Sequence, residues 1–184
     1  MTTSEPSEPA SPPLPPPDDK DWTWTLERPC PECGFDAAMV EPVAIPALVR
    51  DAVSRWADVL ARPEATRRPS PTTWSPLEYA CHVRDVCTLF TERLRLMVEE
   101  DDPTFANWDQ DETALDDRYW TQDPEVVGEQ LADAGETLAV AYTRVGDGQW
   151  NRTGIRSIGS EFTVESLGRY LLHDLFHHVW DVQG

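Results

Sequence analysis

The chemistry of this chain is concentrated in its histidines, at positions 82, 173, 177 and 178, three of which fall in the segment HDLFHHVWDV. His173 and His177 stand four residues apart, as do Asp174 and His178, and on a helix that spacing puts both side chains of a pair on one face. Imidazole and carboxylate are donors that divalent transition metals accept, so either pair can supply two ligands. The third must come from another element, and His82 is the remaining histidine. A helix turns about 100° per residue. On the last helix Val164, Leu171, Leu172, Leu175, Val179 and Val182 mark the apolar side. Asp174 and His178 fall on its flank, whereas His173 and His177 point mostly away from it. His82 lies within about 80° of the centre of the stripe Tyr79, Val83, Val86, Phe90, Leu94 and Met97. His82, Asp174 and His178 are therefore expected to converge on one rim of a bundle. Two imidazoles and a carboxylate leave positions open to water or substrate, as a catalytic rather than a structural site requires. Two alternatives stay open: the pair His173/His177, and histidines that are merely hydrogen-bonded on a helix flank. Asp181 and Asp85 are candidates to accept an imidazole N–H, or else are solvated charges.

Cys30 and Cys33 form C-x-x-C followed by Gly34, half of a zinc knuckle. No second C-x-x-C exists in the chain. The outward pair His173/His177 has the H-x-x-x-H spacing that would complete a Cys2His2 site with Cys30 and Cys33. A tight turn with two reduced thiols and a redox dithiol are the competing readings. Cys81 and Cys87 fall near the apolar part of their helix and read as core residues, since a buried thiol behaves as a small hydrophobe.

These side chains need elements to hold them. Residues 1–20 are rich in Pro, Ser and acids and read as a disordered tail. Residues 21–44 form an irregular arm that contains C-x-x-C and is packed by Trp22, Trp24 and Leu26. Residues 45–184 form the domain. A first helix is expected over about 46–61, from Val49, Val53, Trp56 and Leu60. The second starts at the N-cap Ser75, with Pro76 first in the helix and Glu78 closing a capping box, and runs to about Glu99. The third begins at Asp123-Pro124 and carries the seam Val127, Leu131, Ala134, Leu138, Ala141 and Val145, closed by Gly146. The fourth covers about Thr163 to Val182. No strong parallel-strand pattern appears, and residues 147–162 read as an irregular or hairpin-like crossing. The fold class is all-α, a four-helix bundle with long crossover loops. A connection as long as 101–122 is uncommon unless it has a task. It is expected to cover the rim of the metal site, with Trp108 and Trp120 as pocket walls.

Composition bounds the function. The formal net charge of -19 and pI near 4.3 argue against nucleic acid and anionic membranes as partners. No apolar run is long enough for a transmembrane helix, and no secretory signal is recognisable, so a cytoplasmic location is expected. One lysine against many arginines hints at a GC-rich bacterial genome.

The segments TTWSPLEYACHVRDV, 72–86, and HDLFHHVWDV, 173–182, resemble the DinB-like superfamily, which includes bacterial thiol S-transferases and mycothiol-dependent maleylpyruvate isomerase. The resemblance spans about residues 45–182. It implies a four-helix bundle binding zinc or nickel through one residue of helix two and a ligand-x-x-x-His pair on the last helix. His82 takes the first role, and Asp174 and His178 take the second. This chain departs from the family pattern in carrying Asp174 where His or Glu is more frequent. For some members the resemblance implies activation of a low-molecular-weight thiol, with mycothiol favoured in an actinobacterial source. A metal-dependent thiol S-transferase or isomerase acting on a small molecule is one expected function. A non-catalytic metal-binding or stress-response protein is another, and a homodimeric helical binding module a third. The sequence names no catalytic residue beyond the ligands and no substrate.

Overall fold

A computed structural model describes residues 12–13, 15–16, 21–157 and 159–184. The tail expected over 1–20 lies almost wholly outside the described residues, as does Ile158. The described residues form six α-helices: α1 (Ile45–Ser54), α2 (Trp56–Leu60), α3 (Pro76–Glu99), α4 (Gln110–Asp116), α5 (Pro124–Thr143) and α6 (Val164–Asp181). The four long ones pack in a ring, α1 against α5, α5 against α3, α3 against α6, and α6 against α1. The connections 61–75 and 144–163 thus run between helices that are not ring neighbours. This is the expected all-α four-helix bundle with long crossovers.

The caps fix where the site-bearing helices begin. Ser75 Oγ accepts the Glu78 N–H at 3.3 Å, and Glu78 Oε2 accepts the Ser75 N–H at 2.9 Å. That capping box is buried, and Arg68 Nε donates to Glu78 Oε2 at 2.8 Å, neutralising a carboxylate that would otherwise be costly to bury. Thr163 Oγ1 accepts the Ser166 N–H at 3.0 Å and starts α6 in the same way. Asp123 caps α5, whose first residue is Pro124. Two small residues permit close helix approach. A Cβ on Gly168 would stand 2.6 Å from Ile45 Cδ1, and one on Gly135 would stand 2.7 Å from Val53 Cγ2.

Three details differ from the sequence expectation. The first helix is divided at Arg55 into α1 and α2. The buried side of α5 is Val127, Leu131, Gly135, Leu138, Ala139 and Tyr142, so the seam lies one residue beyond Ala134 and Ala141. The long loop is not irregular throughout: it contains β1 (Thr104–Phe105), α4 and a 3-10 turn, Tyr119–Thr121. β1 pairs in parallel with β2 (Thr153–Arg156), in the register Thr104↔Ile155, and β2 pairs antiparallel with β3 (Glu161–Thr163). A two-residue parallel bridge is too short to leave a periodic signal. Its effect is to fasten the 101–122 segment to the crossing before α6.

The arm, residues 21–44, holds three 3-10 turns and packs on α6. No described helix is long and apolar enough to cross a membrane.

Candidate metal centre

The structure brings His82, Asp174 and His178 together, with one donor atom from each lying within 4.8 Å of the others. His82 Nε2 and His178 Nε2 each stand 3.7 Å from Asp174 Oδ1. That is too long for a hydrogen bond. It is close to the roughly 3.3–3.6 Å edge of a tetrahedron whose donors sit about 2.0–2.2 Å from a central ion. Both nitrogens of His82 and Asp174 Oδ1 are buried with no hydrogen-bond partner. Buried polar atoms are normally satisfied, so the facing His82 Nε2 and Asp174 Oδ1 fit the donor set of a metal ion. His178 Nδ1 is 2.8 Å from Asp181 Oδ2, which turns Nε2 toward the cluster. Asp85, the other carboxylate considered for that role, is engaged instead by Arg84 at 2.8 Å and by the hydroxyl of Tyr119.

Electrostatics favour the ligand forms. Burial pushes the His82 pKa down, against the pull of Asp174, and keeps the ring neutral. Burial pushes the Asp174 carboxyl up, but the imidazoles of His178 and His82 outweigh it and leave the group at about 2, ionised.

The cluster opens on a cavity of about 470 Å³. His82 and Asp174 form part of its lining, with Val86, Leu89, Phe90 and Trp108 as apolar walls. Trp108 stacks on His82 at 5.3 Å between ring centres, and its Nε1–H donates to Thr113 Oγ1 at 2.7 Å. Asp109 caps α4 next to it, so the loop is tied down where it covers the site. Trp120 does not line this cavity, contrary to the sequence expectation. The tight turn at 119–121 directs the neighbouring Tyr119 inward to Asp85 instead.

Among the cavity residues not singled out from the sequence are two cations, Arg93 of α3 and Arg156 of β2. Their Nε atoms are buried without a partner, and no carboxylate pairs with either among the described residues. Burial, and then the charge of Arg156, push Arg93 down to about 10, so it remains a cation at neutral pH. Asp21, Asp109 and Asp111 line the same cavity. Asp21 Oδ1 accepts from the Thr23 N–H and hydroxyl, Asp109 Oδ1 accepts from the Asp111 and Glu112 N–H groups, and Asp111 is engaged as well. No sequence signal joins the two arginines, because β1–β2 pairing is what carries Arg156 to the wall.

His173 and His177, expected to point away from the core, are buried at 4% and 8% exposure. The wheel placed them correctly on the outer side of α6, and the arm covers that side. Cys30, Cys33, His173 and His177 form a second cluster whose donor atoms all lie within 4.8 Å. Cys81 and Cys87 lie in the core as expected, and burial pushes each thiol up to about 12.

A four-helix bundle with a metal-competent donor cluster between its second and last long helices defines the class. The DinB superfamily profile matches residues 47–182, and the chain belongs to that superfamily. No curated protein matches the sequence. Among solved structures the fold is similar to that of YfiT from Bacillus subtilis, described as "a probable metal-dependent hydrolase with an unusual four-helix bundle topology". The TM-score is 0.64 at 14% identity, over 91% of this chain and 90% of that one.

Proposed function

We propose that this protein is a metal-dependent enzyme that joins a low-molecular-weight thiol, of the mycothiol type, to a negatively charged small molecule or isomerises such a molecule through the thiol. His82, Asp174 and His178 hold a single zinc or nickel ion. The observation that carries this reading is the set of orphaned donor atoms on His82 and Asp174, which face His178 at the wall of an open cavity of about 470 Å³. A divalent ion bound there would supply Lewis acidity and lower the pKa of a coordinated thiol into the neutral range.

The chain's own residues do the rest. Asp181 fixes the tautomer of His178, and Trp108 fixes the plane of His82. Val86, Leu89, Phe90 and Trp108 exclude water from one side of the cavity. Arg93 is a buried cation and Arg156 a half-buried one; their Nη2 groups donate to the Ala106 carbonyl and to Ser160 Oγ, and among the described residues no carboxylate forms an ion pair with either, in a protein of net charge -19. An unpaired buried charge is costly, and a substrate carboxylate or phosphate would relieve that cost while orienting the reacting carbon.

A second reading exchanges the thiol for water, giving a hydrolase. The description of YfiT favours it. Titration calorimetry of the zinc-loaded protein with a small thiol, in two buffers of different ionisation heat, separates these readings. The expected result is thiol binding with release of about one proton, absent in His178→Ala. Thiol binding that His178→Ala retains in full would overturn the role of the cluster. Ester cleavage by the metal-loaded protein with no thiol requirement would move the reaction to hydrolysis. Arg93→Gln is expected to weaken a carboxylate-bearing competitor about tenfold or more and to leave an uncharged one unchanged.

A further inference from the structure

We propose that Cys30, Cys33, His173 and His177 bind a second metal ion, a closed Cys2His2 zinc site that pins the N-terminal arm to the outer side of α6. The local sequence builds the sulfur half. The Gly34 N–H donates to the Cys30 carbonyl at 2.9 Å, and the Cys30 N–H donates to the Phe35 carbonyl at 2.8 Å. Gly34 sits at φ +75°, a conformation glycine adopts without a Cβ penalty, and this closes the turn that brings the two sulfurs together. The helix builds the other half, because H-x-x-x-H stacks His173 and His177 on one face.

The distances fit an ion. Cys30 Sγ is 3.7 Å from His177 Nδ1. Sulfur and nitrogen donors at about 2.3 and 2.0–2.1 Å from a tetrahedral zinc stand about 3.6 Å apart. His173 Nε2 is buried with no hydrogen-bond partner, an orphan that the arm encloses without satisfying. The far nitrogen of His177, Nε2, faces Glu32 Oε2 at 3.6 Å and Asp181 Oδ1 at 3.8 Å, beyond hydrogen-bond reach but on the side away from Cys30.

The other readings of the motif explain less. Cys30 and Cys33 are free thiols, so no disulfide accounts for the turn. Packing alone would call for apolar partners, not two imidazoles. The site also differs from the first in being closed. Cys30, His173 and His177 are buried, and Trp22 covers both imidazoles at 5.4 and 5.3 Å between ring centres. Four protein donors, with a cavity of only about 40 Å³ beside His173 and His177, describe a structural ion. The arm has reason to need one, since 3-10 turns give it few backbone hydrogen bonds of its own.

The test uses the full chain and cobalt as the probe. The cluster of His82, Asp174 and His178 contains no sulfur, so a thiolate-to-cobalt charge-transfer band reports the second site alone. Wild type should bind two ions and show the band. Cys30→Ser/Cys33→Ser should lose one ion and the band, and His82→Ala should lose one ion and keep the band. If the double cysteine variant does not fold, thiol counting on wild type decides: two more thiols should react after chelation than before. A wild-type cobalt form without the band, or a double cysteine variant that keeps both ions, would overturn the second site. Loss of the ion in His82→Ala bears on the first site only.

Discussion

The two faces of α6 carry donor sets that interleave along four residues, 173, 174, 177 and 178, yet they are built for opposite ends. Toward α3, Asp174 and His178 meet His82 beside a cavity lined by tryptophan and by two arginines. Toward the arm, His173 and His177 meet Cys30 and Cys33 under a tryptophan lid. The first set has three donors beside a cavity of about 470 Å³; the second has four beside one of about 40 Å³. Helical periodicity explains how adjacent residues serve both, because a step of about 100° sends neighbours to different sides. The coverage differs because one side is roofed by a loop that leaves a cavity and the other by a segment that docks flat.

The largest expected effect separates the faces most sharply. His82→Ala removes the one donor that, among the described residues, comes from outside α6 at the open site, and its metal affinity should fall by about a thousandfold or more. That exceeds the 10–100-fold usual for outlying partners. Equilibrium dialysis with zinc measures it; an unchanged open-site affinity would erase the distinction drawn here. Asp181 is the side chain that faces both sites. Asp181→Asn should weaken the open site about 10–100-fold, because its Oδ2 lies 2.8 Å from His178 Nδ1. The closed site should lose less, because Oδ1 stands 3.8 Å from His177 Nε2. Equal losses would show that the two faces do not differ as described.

Acidification of the metal-free protein probes the burial of both faces. Burial holds His173 at about 4, below its ordinary 6.5, and depresses His82 as well. As pH falls through 6.5 the unfolded chain takes up protons that these folded imidazoles refuse. Stability should therefore be fully present above pH 6.5 and decline toward pH 4, by on the order of 2 kcal/mol for His173 after solvent screening. Urea midpoints across that range check the sign, and a midpoint that rises on acidification contradicts it. The smallest effect is a control. Ser75→Ala removes the cap of α3 and should cost about 1 kcal/mol, while metal stoichiometry stays the same; loss of an ion from either face would tie metal binding to the helix end rather than to the donors.

Much of this was legible in the sequence because it is local. The Ser75-Pro76-Leu77-Glu78 run gives the start of α3, and Asp123-Pro124 gives the start of α5. The i, i+4 pairs give two faces of α6. The break at Arg55 was not legible, since no Gly or Pro marks it. Trp120 was expected as a pocket wall and does not line the cavity, because a loop has no periodicity to say which of its aromatics turns toward the site.

What the sequence by itself determined is the set of donors and the face on which each stands, since both follow from residue type and helical repeat. Tertiary structure alone decided what covers each face. The arm buries His173 and His177 across more than 130 residues of chain, and the parallel bridge of Phe105 with Arg156 carries a cation into the cavity. Such contacts depend on which surfaces remain unburied once the helices have packed, and no local pattern of residues encodes that.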